Sequence, residues 1–231
     1  MATQGEILTQ TRDRLNEASA RHWTDAQLYR WINEGAADVA RRTECLLAKS
    51  TVNVSGGTRS YSLASLSPQP LRMHRAEYSP GATSQFYPLE YRDYSLLDDV
   101  WGTSQAITSG TPAFWTAWGF HPSMTVYLYP TPAQSGVLTL YYYRLPTALA
   151  TNGSATASTV EVPAGYDDLV ADYAEMRALR NDSDPRWQDA RATYEEKMNG
   201  LIAMTTRPVD GMGLYVGSNG FVPGWLANEG Y

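Results

Sequence analysis

The chain has 231 residues, of which 43% are hydrophobic and 12% aromatic, enough for one sizeable core or two small ones and too apolar for a disordered chain. Its net charge of −6, with no dense basic run, excludes a protein that grips a phosphate backbone through clustered cations. No basic start leads into an apolar run and no window of eighteen apolar residues occurs, so the expectation is a chain without a membrane span, made in a cytoplasm.

In chain order, Ile7, Leu8, Thr11, Leu15 and Ala18 recur at three- and four-residue spacing among polar residues, which predicts an amphipathic helix from Glu6 to Ala18. Thr24-Asp25-Ala26-Gln27 then has the form of a capping box, with Trp23 at the hydrophobic staple position. The second helix predicted from it carries Leu28, Trp31, Ile32, Gly35, Ala36, Val39 and Ala40 on one stripe and ends near Glu44.

From Cys45 to Val162 the period shortens to that of strands. Thr51–Val54 and Arg59–Leu63, separated by Ser55-Gly56-Gly57-Thr58, read as a hairpin. Further strands are expected at 71–78, 86–91, 113–120, 125–129, 137–144 and 159–162, with turn residues such as Ser79-Pro80-Gly81 and His121-Pro122-Ser123 between them. Tyr94 to Trp101 reads as a single helical turn or an ordered loop. After a small, polar link a third helix is expected from Pro163, with Tyr166, Leu169, Val170, Tyr173 and Met176 on one face. Ser183-Asp184-Pro185 then opens a fourth, carrying Trp187, Ala190, Tyr194, Met198 and Leu201 to about Met204.

The fold class that follows is α+β. The N- and C-terminal segments, 1–45 and 163–205, build a four-helix bundle, residues 46–162 form an inserted antiparallel β-sandwich, and residues 206–231 form an extended arm. That arm holds six glycines and two prolines, together with Tyr215, Phe221, Trp225 and Tyr231, and an arm so aromatic should dock on its own chain or a neighbour.

Chemistry finds little support. His22, His74 and His121 fall in a helix link, a strand and a turn, no CxxC or calcium loop occurs, and Asp167 with Asp168 suit the first turn of a helix without an ion. No catalytic, metal or cofactor site is expected, and the single cysteine, Cys45, reads as a small buried hydrophobe. Contact with other proteins is better supported, since only Lys49 and Lys197 are lysines among 18 basic residues, while tyrosines number 16 and tryptophans 7.

The run Tyr141-Tyr142-Tyr143 focuses that reading. If 125–129 and 137–144 are the two arms of a hairpin, the pleat sends Val126, Leu128, Leu138, Leu140 and Tyr142 inward. Tyr127, Tyr129, Tyr141 and Tyr143 then share the outer face, as a candidate interface with a subunit or partner, together with Tyr215, Phe221, Trp225 and Tyr231 of the arm. A carbohydrate-binding β module with helical extensions would use the same tyrosines as a platform and is the alternative.

Several phrases in order, Trp31-Ile32-Asn33-Glu34-Gly35-Ala36-Ala37-Asp38-Val39-Ala40, Gly57-Thr58-Arg59-Ser60-Tyr61-Ser62-Leu63, Leu128-Tyr129-Pro130-Thr131-Pro132, Tyr142-Tyr143-Arg144-Leu145-Pro146 and Val162-Pro163-Ala164-Gly165-Tyr166-Asp167-Asp168-Leu169-Val170, resemble the head-to-tail adaptor, or connector, proteins of tailed bacteriophages, especially short-tailed ones. The likeness spans roughly residues 5 to 205. It implies a structural, non-enzymatic virion protein at the neck, assembled in the host cytoplasm. There a ring, usually of twelve copies, would sit beneath the portal protein, face a tail nozzle or hub protein, and let DNA transit its lumen without specific binding.

Overall fold

The computed structural model describes residues 1–17, 19–81, 85–95, 109–152 and 156–205, and the backbone of 215–217 and 220–222. Among the described residues, four helices of eleven residues or more and one large sheet make a mixed α+β architecture with two hydrophobic clusters, one among the helices and one inside the sheet.

Helix α1 (Gln4–Arg14) starts at a capping box: the Thr3 hydroxyl accepts from the Glu6 amide, and the Glu6 carboxylate accepts from the Thr3 amide. It stops short of the expected Ala18, which lies outside the described residues, because Asn16 turns left-handed at φ 54°. The Glu17 carboxylate then folds forward to accept the amides of Arg21, His22 and Trp23, which fixes the link to the next helix.

Helix α2 (Asp25–Thr43) has the expected box, Thr24 with Gln27, and buries all seven residues of the expected stripe. Trp23 packs its ring 5.3 Å from that of Trp31, so the staple residue joins the helical core. Helix α3 (Asp167–Asn181) packs against α1 and α2, and α4 (Trp187–Thr205) against α2 and α3. Gly35 permits the closest approach, since a Cβ there would lie 3.0 Å from the Tyr173 side chain. The N-terminus is strapped to the chain ahead of α3 by Gln4 and Gly5 amides donating to the Ser158 and Thr156 carbonyls, and Val160 and Val162 are buried with the helices. Residues 159–162, expected as a strand, contribute one isolated bridge, Thr3 with Thr159.

The strands are β1 (Leu47–Val54), β2 (Ser60–Ser62), β3 (Pro70–Pro80), β4 (Tyr87–Tyr91), β5 (Ser109–Gly110), β6 (Phe114–Trp118), β7 (Thr125–Tyr129), β8 (Thr131–Pro132), β9 (Gly136–Arg144), β10 (Tyr215–Gly217) and β11 (Gly220–Val222). Seven form one sheet in the order β1-β9-β3-β4-β6-β7-β2, and β5 with β8 and β10 with β11 form two small ladders. The expected wholly antiparallel insertion is corrected at two ladders: β4 and β6 run parallel, made feasible by the long connection between Tyr91 and Phe114, and so do the short strands β5 and β8.

Two expected hairpins are also corrected. Strand β1 pairs with β9 and β2 pairs with β7, which puts consecutive strands at opposite edges of the sheet; likewise β7 and β9 never pair. The link from Val54 to Ser60 spans at most about 21 Å, whereas the edges of a flat seven-stranded sheet lie about 29 Å apart. The sheet therefore rolls until its edges approach, and its inner face closes on itself. Val126 and Leu128 of β7 meet Leu138, Leu140 and Tyr142 of β9 across that core, all of them wholly buried. The inward assignment of these five residues holds although the hairpin does not, because it depends on the pleat of each strand and not on its partner.

Local chemistry secures the roll. The Gly57 amide donates to the Pro132 carbonyl at 2.8 Å and the Tyr61 hydroxyl to the Thr58 carbonyl at 2.6 Å. At Gly136 a Cβ would lie 2.2 Å from the Ser79 carbonyl oxygen, so only glycine lets β9 begin this close to β3. Sheet and helices are joined by Asn33, whose amide group exchanges two hydrogen bonds with the Leu149 backbone, and by ion pairs Glu44–Arg72 and Arg144–Glu161.

Candidate partner interface

On the outer face of β9, Tyr141 lies between Lys49 of β1 and Arg75 of β3, and Tyr143 between Leu47 and Arg72. The Lys49 ammonium is 5.5 Å and the Arg75 guanidinium 5.8 Å from the Tyr141 ring centre, and Arg72 is 5.4 Å from that of Tyr143. The Tyr141 hydroxyl donates to Glu77 at 3.2 Å, and the His74 ring leans on Tyr143 at 5.5 Å. Both tyrosines are half-buried, and the three cations and Leu47 are exposed around them. Glu44 and Glu77 pair with Arg72 and Arg75, so the face is amphipathic and only weakly cationic.

Tyr127 and Tyr129 do not belong to this face. Strand β7 lies on the opposite wall of the rolled sheet, and because both inner faces meet in one core, the two outer faces look away from each other. There Arg59 sits 5.8 Å from the Tyr127 ring and 5.2 Å from that of Tyr129, and Tyr94 packs on Tyr127 at 5.4 Å. Tyr129 is wholly buried. The expectation of four tyrosines on one surface is corrected for that reason. Tyr215 and Phe221 lie on the two strands of the β10–β11 hairpin, where the backbone pairs Tyr215 with Val222 and Val216 with Phe221. Trp225 and Tyr231 lie outside the described residues, as does most of the expected turn at 94–101, of which Tyr94 and Ser95 are helical.

Sequence reasoning missed a second exposed group. Tyr91 at the end of β4, Trp118 at the end of β6 and Phe120 in the following turn are 55%, 59% and 89% exposed. Its signal was the alternation of 113–120, which turns Trp115 and Ala117 inward and leaves Trp118 for the outer face.

Also missed was an ion network among the helices. Asp172, only 6% exposed, holds Arg14 of α1 on one oxygen and Lys197 of α4 on the other at 2.6 Å, and Asp168 reaches the same ammonium at 2.5 Å. Burial works against the charge of Lys197, but the two carboxylates outweigh it and raise its pKa. Burial raises Glu175 beside them, although Arg14 opposes the shift. The i,i+4 spacing of Asp168 and Asp172 was legible; their partner, a lysine 25 residues beyond Asp172, was not.

Among the described residues the three histidines and the cysteine lie apart. His22 faces Asp182 at 3.3 Å, His74 rests on Tyr143, and His121 sits in the β6–β7 turn. Burial raises the pKa of the Cys45 thiol, against a thiolate nucleophile. Among the described residues no group of three His, Cys, Asp or Glu side chains is placed to hold a metal, and no helix is long and apolar enough to cross a membrane.

Comparison with protein families settles the class: the model described as SU10 adaptor protein matches residues 2–214. The chain belongs to the SU10 adaptor protein family. No curated protein matches it. This is a family of phage adaptors, so the adaptor is a structural component of the virion that interacts with other head and tail proteins, and the exposed aromatic faces described above are candidates for those contacts.

Proposed function

We propose that this adaptor forms a ring, of twelve copies, that joins the portal at the capsid vertex to the tail nozzle or hub of a short-tailed phage and leaves a channel for DNA. The observation that carries the reading is the outer face of β1, β9 and β3, where Tyr141 and Tyr143 are held beneath Lys49, Arg75 and Arg72. Residues 1–45 and 163–205 hold 11 basic and 16 acidic side chains, so a cation-bearing sheet face can meet an acidic helical face of the next copy. Such a contact between unlike patches is heterologous and closes a ring when its rotation allows. An acidic protein also suits a lumen that DNA must cross without being held.

In this reading residues 1–45 and 163–205 act as one helical domain and 46–162 as a sheet domain. The helices and the arm, with Tyr215, Phe221, Trp225 and Tyr231, grip the portal, and the sheet domain extends the ring toward the tail at the virion neck. Assembly takes place in the host cytoplasm. A glycan platform is less favoured, because the Tyr141 ring already has Lys49 and Arg75 of its own chain packed against it. Sedimentation velocity of the adaptor mixed with the portal of its phage tests the proposal: a complex of ring size is expected, and Tyr141→Glu with Tyr143→Glu should abolish it. An adaptor that stays monomeric beside its portal overturns it.

A further inference from the structure

Strand β1 (Leu47–Val54) ends the seven-stranded sheet, so only one of its two edges is paired. The Arg144 amide donates to the Leu46 carbonyl at 3.0 Å, and this sets the alternation of the whole ladder: Ala48, Ser50, Val52 and Val54 bond to β9. The amides and carbonyls of Leu47, Lys49, Thr51 and Asn53 therefore point to the other edge, where no hydrogen bond among the described residues reaches them. Eight residues in unbroken register, without a bulge or a proline, make this a long and regular edge, whereas β2 at the opposite end of the sheet has three.

Proteins blunt such edges with charges, and Lys49 is the one charge on β1. Its ammonium leans back over the Tyr141 ring of β9 at 5.5 Å, away from the free edge, and leaves the backbone groups clear. Among the described residues no carboxylate pairs with it, since Glu44 and Glu77 on that face go to Arg72 and Arg75. On the inner side Ala48 and Val52 stay partly exposed at the margin of the core, so the sheet ends before its apolar face is fully covered.

We infer that β1 receives an additional strand from another head or tail protein, an extended segment with a carboxylate beside Lys49 and apolar side chains beside Ala48 and Val52. Main-chain bonds to Leu47, Lys49, Thr51 and Asn53 hold such a strand, and the pleat decides which of its side chains turn to the core. The two apolar residues complete the cover over Ala48 and Val52, and the carboxylate neutralises Lys49 beside Tyr141. A second copy of β1 is a poorer occupant: antiparallel pairing about Ser50 would set the two copies of Lys49 diagonally across the new ladder, like charge against like. The inference needs a protein partner, which the adaptor family supplies, and does not need the ring.

The probe is a synthetic peptide, acetyl-Thr-Val-Thr-Ala-Glu-Val-Thr-amide, which in antiparallel register puts Glu opposite Lys49 and its two Val opposite Ala48 and Val52. Amide exchange measured by NMR on the full chain with this peptide bound should slow about tenfold or more at Lys49 and Thr51, and stay nearly unchanged at Ser50 and Val52, which already bond to β9. Thr51→Pro removes an amide from the free edge without touching the β9 ladder, a substitution edge strands tolerate, and should weaken binding about tenfold or more. A peptide N-methylated at its Glu and its third residue, tested on the unaltered chain, should lose affinity likewise, and Lys49→Ala should lower it about threefold. The inference is overturned if the unmodified peptide does not bind at about 1 mM, if N-methylation leaves its affinity unchanged, or if exchange slows at odd and even positions of β1 alike. None of these results depends on a ring forming with the portal, so the two readings fail separately.

Discussion

Replacing Tyr142 by Phe removes a single oxygen from the middle of the three tyrosines, and the structure says what that oxygen does. The Tyr142 hydroxyl donates to the Pro68 carbonyl at 2.8 Å and lies 2.9 Å from the Ser50 hydroxyl, on a side chain with no exposed surface. The ring stays, so no cavity opens; the loss is two hydrogen bonds, leaving a carbonyl and a hydroxyl that water reaches only in part. An unsatisfied buried group costs about 1–3 kcal/mol. Ser50 and Pro68 are half-buried, so water restores part of the loss and the expected destabilisation is about 1–2 kcal/mol. In a chain of this size that lowers Tm by about 3–6 °C. Tyr141→Phe is the control: its hydroxyl makes one partly exposed bond to Glu77 at 3.2 Å, and its loss should cost under about 0.5 kcal/mol. Urea unfolding of the monomer at neutral pH, followed by tryptophan fluorescence, measures both. Equal losses, or a greater loss for Tyr141→Phe, would refute the division of neighbouring tyrosines between core and surface.

Three further outcomes are expected. Asp172→Asn leaves Arg14 and Lys197 without their shared carboxylate; because both cations are about a third exposed, the cost should be about 1–3 kcal/mol in chemical denaturation, less than for a fully buried pair. The Glu161 carboxyl, which accepts two bonds from Arg144 and one from the Thr147 amide, is lowered from 4.5 to about 2, chiefly by Arg144. A depressed carboxylate stabilises the fold above its unfolded pKa, so this contribution is full above about pH 5 and disappears as pH falls toward 2. With the side chain 32% exposed it amounts to about 1–2 kcal/mol, and Glu161→Gln should flatten the stability profile across that window. Gly136→Ala should cost about 3 kcal/mol, the upper end for overpacking, because the new methyl meets the Ser79 backbone. Gly35→Ala should cost less than about 1 kcal/mol, since the Tyr173 ring can shift and alanine favours the helix. Thermal unfolding of the two variants side by side distinguishes them, and equal losses would count against the β3–β9 close approach.

The sequence by itself determined what depends on near neighbours. The Thr24–Gln27 box and the stripe from Leu28 to Ala40 placed α2, because capping and helical period act within a few residues. The pleat placed Leu138, Leu140 and Tyr142 in the core for the same reason, whichever strand lay beside them. The order of several local phrases was enough to point to phage adaptors. Tertiary structure decided which strands pair. The glycines at 56 and 57 suit a hairpin turn, yet β1 and β2 part to opposite edges, because rolling the sheet buries Val54, Tyr61, Val126 and Leu138 in one core where a two-stranded ribbon would leave them wet. That rolling also separated Tyr127 and Tyr129 from Tyr141 and Tyr143. Pairing follows from the total area removed from water, a property of the whole sheet that no short stretch of chain encodes.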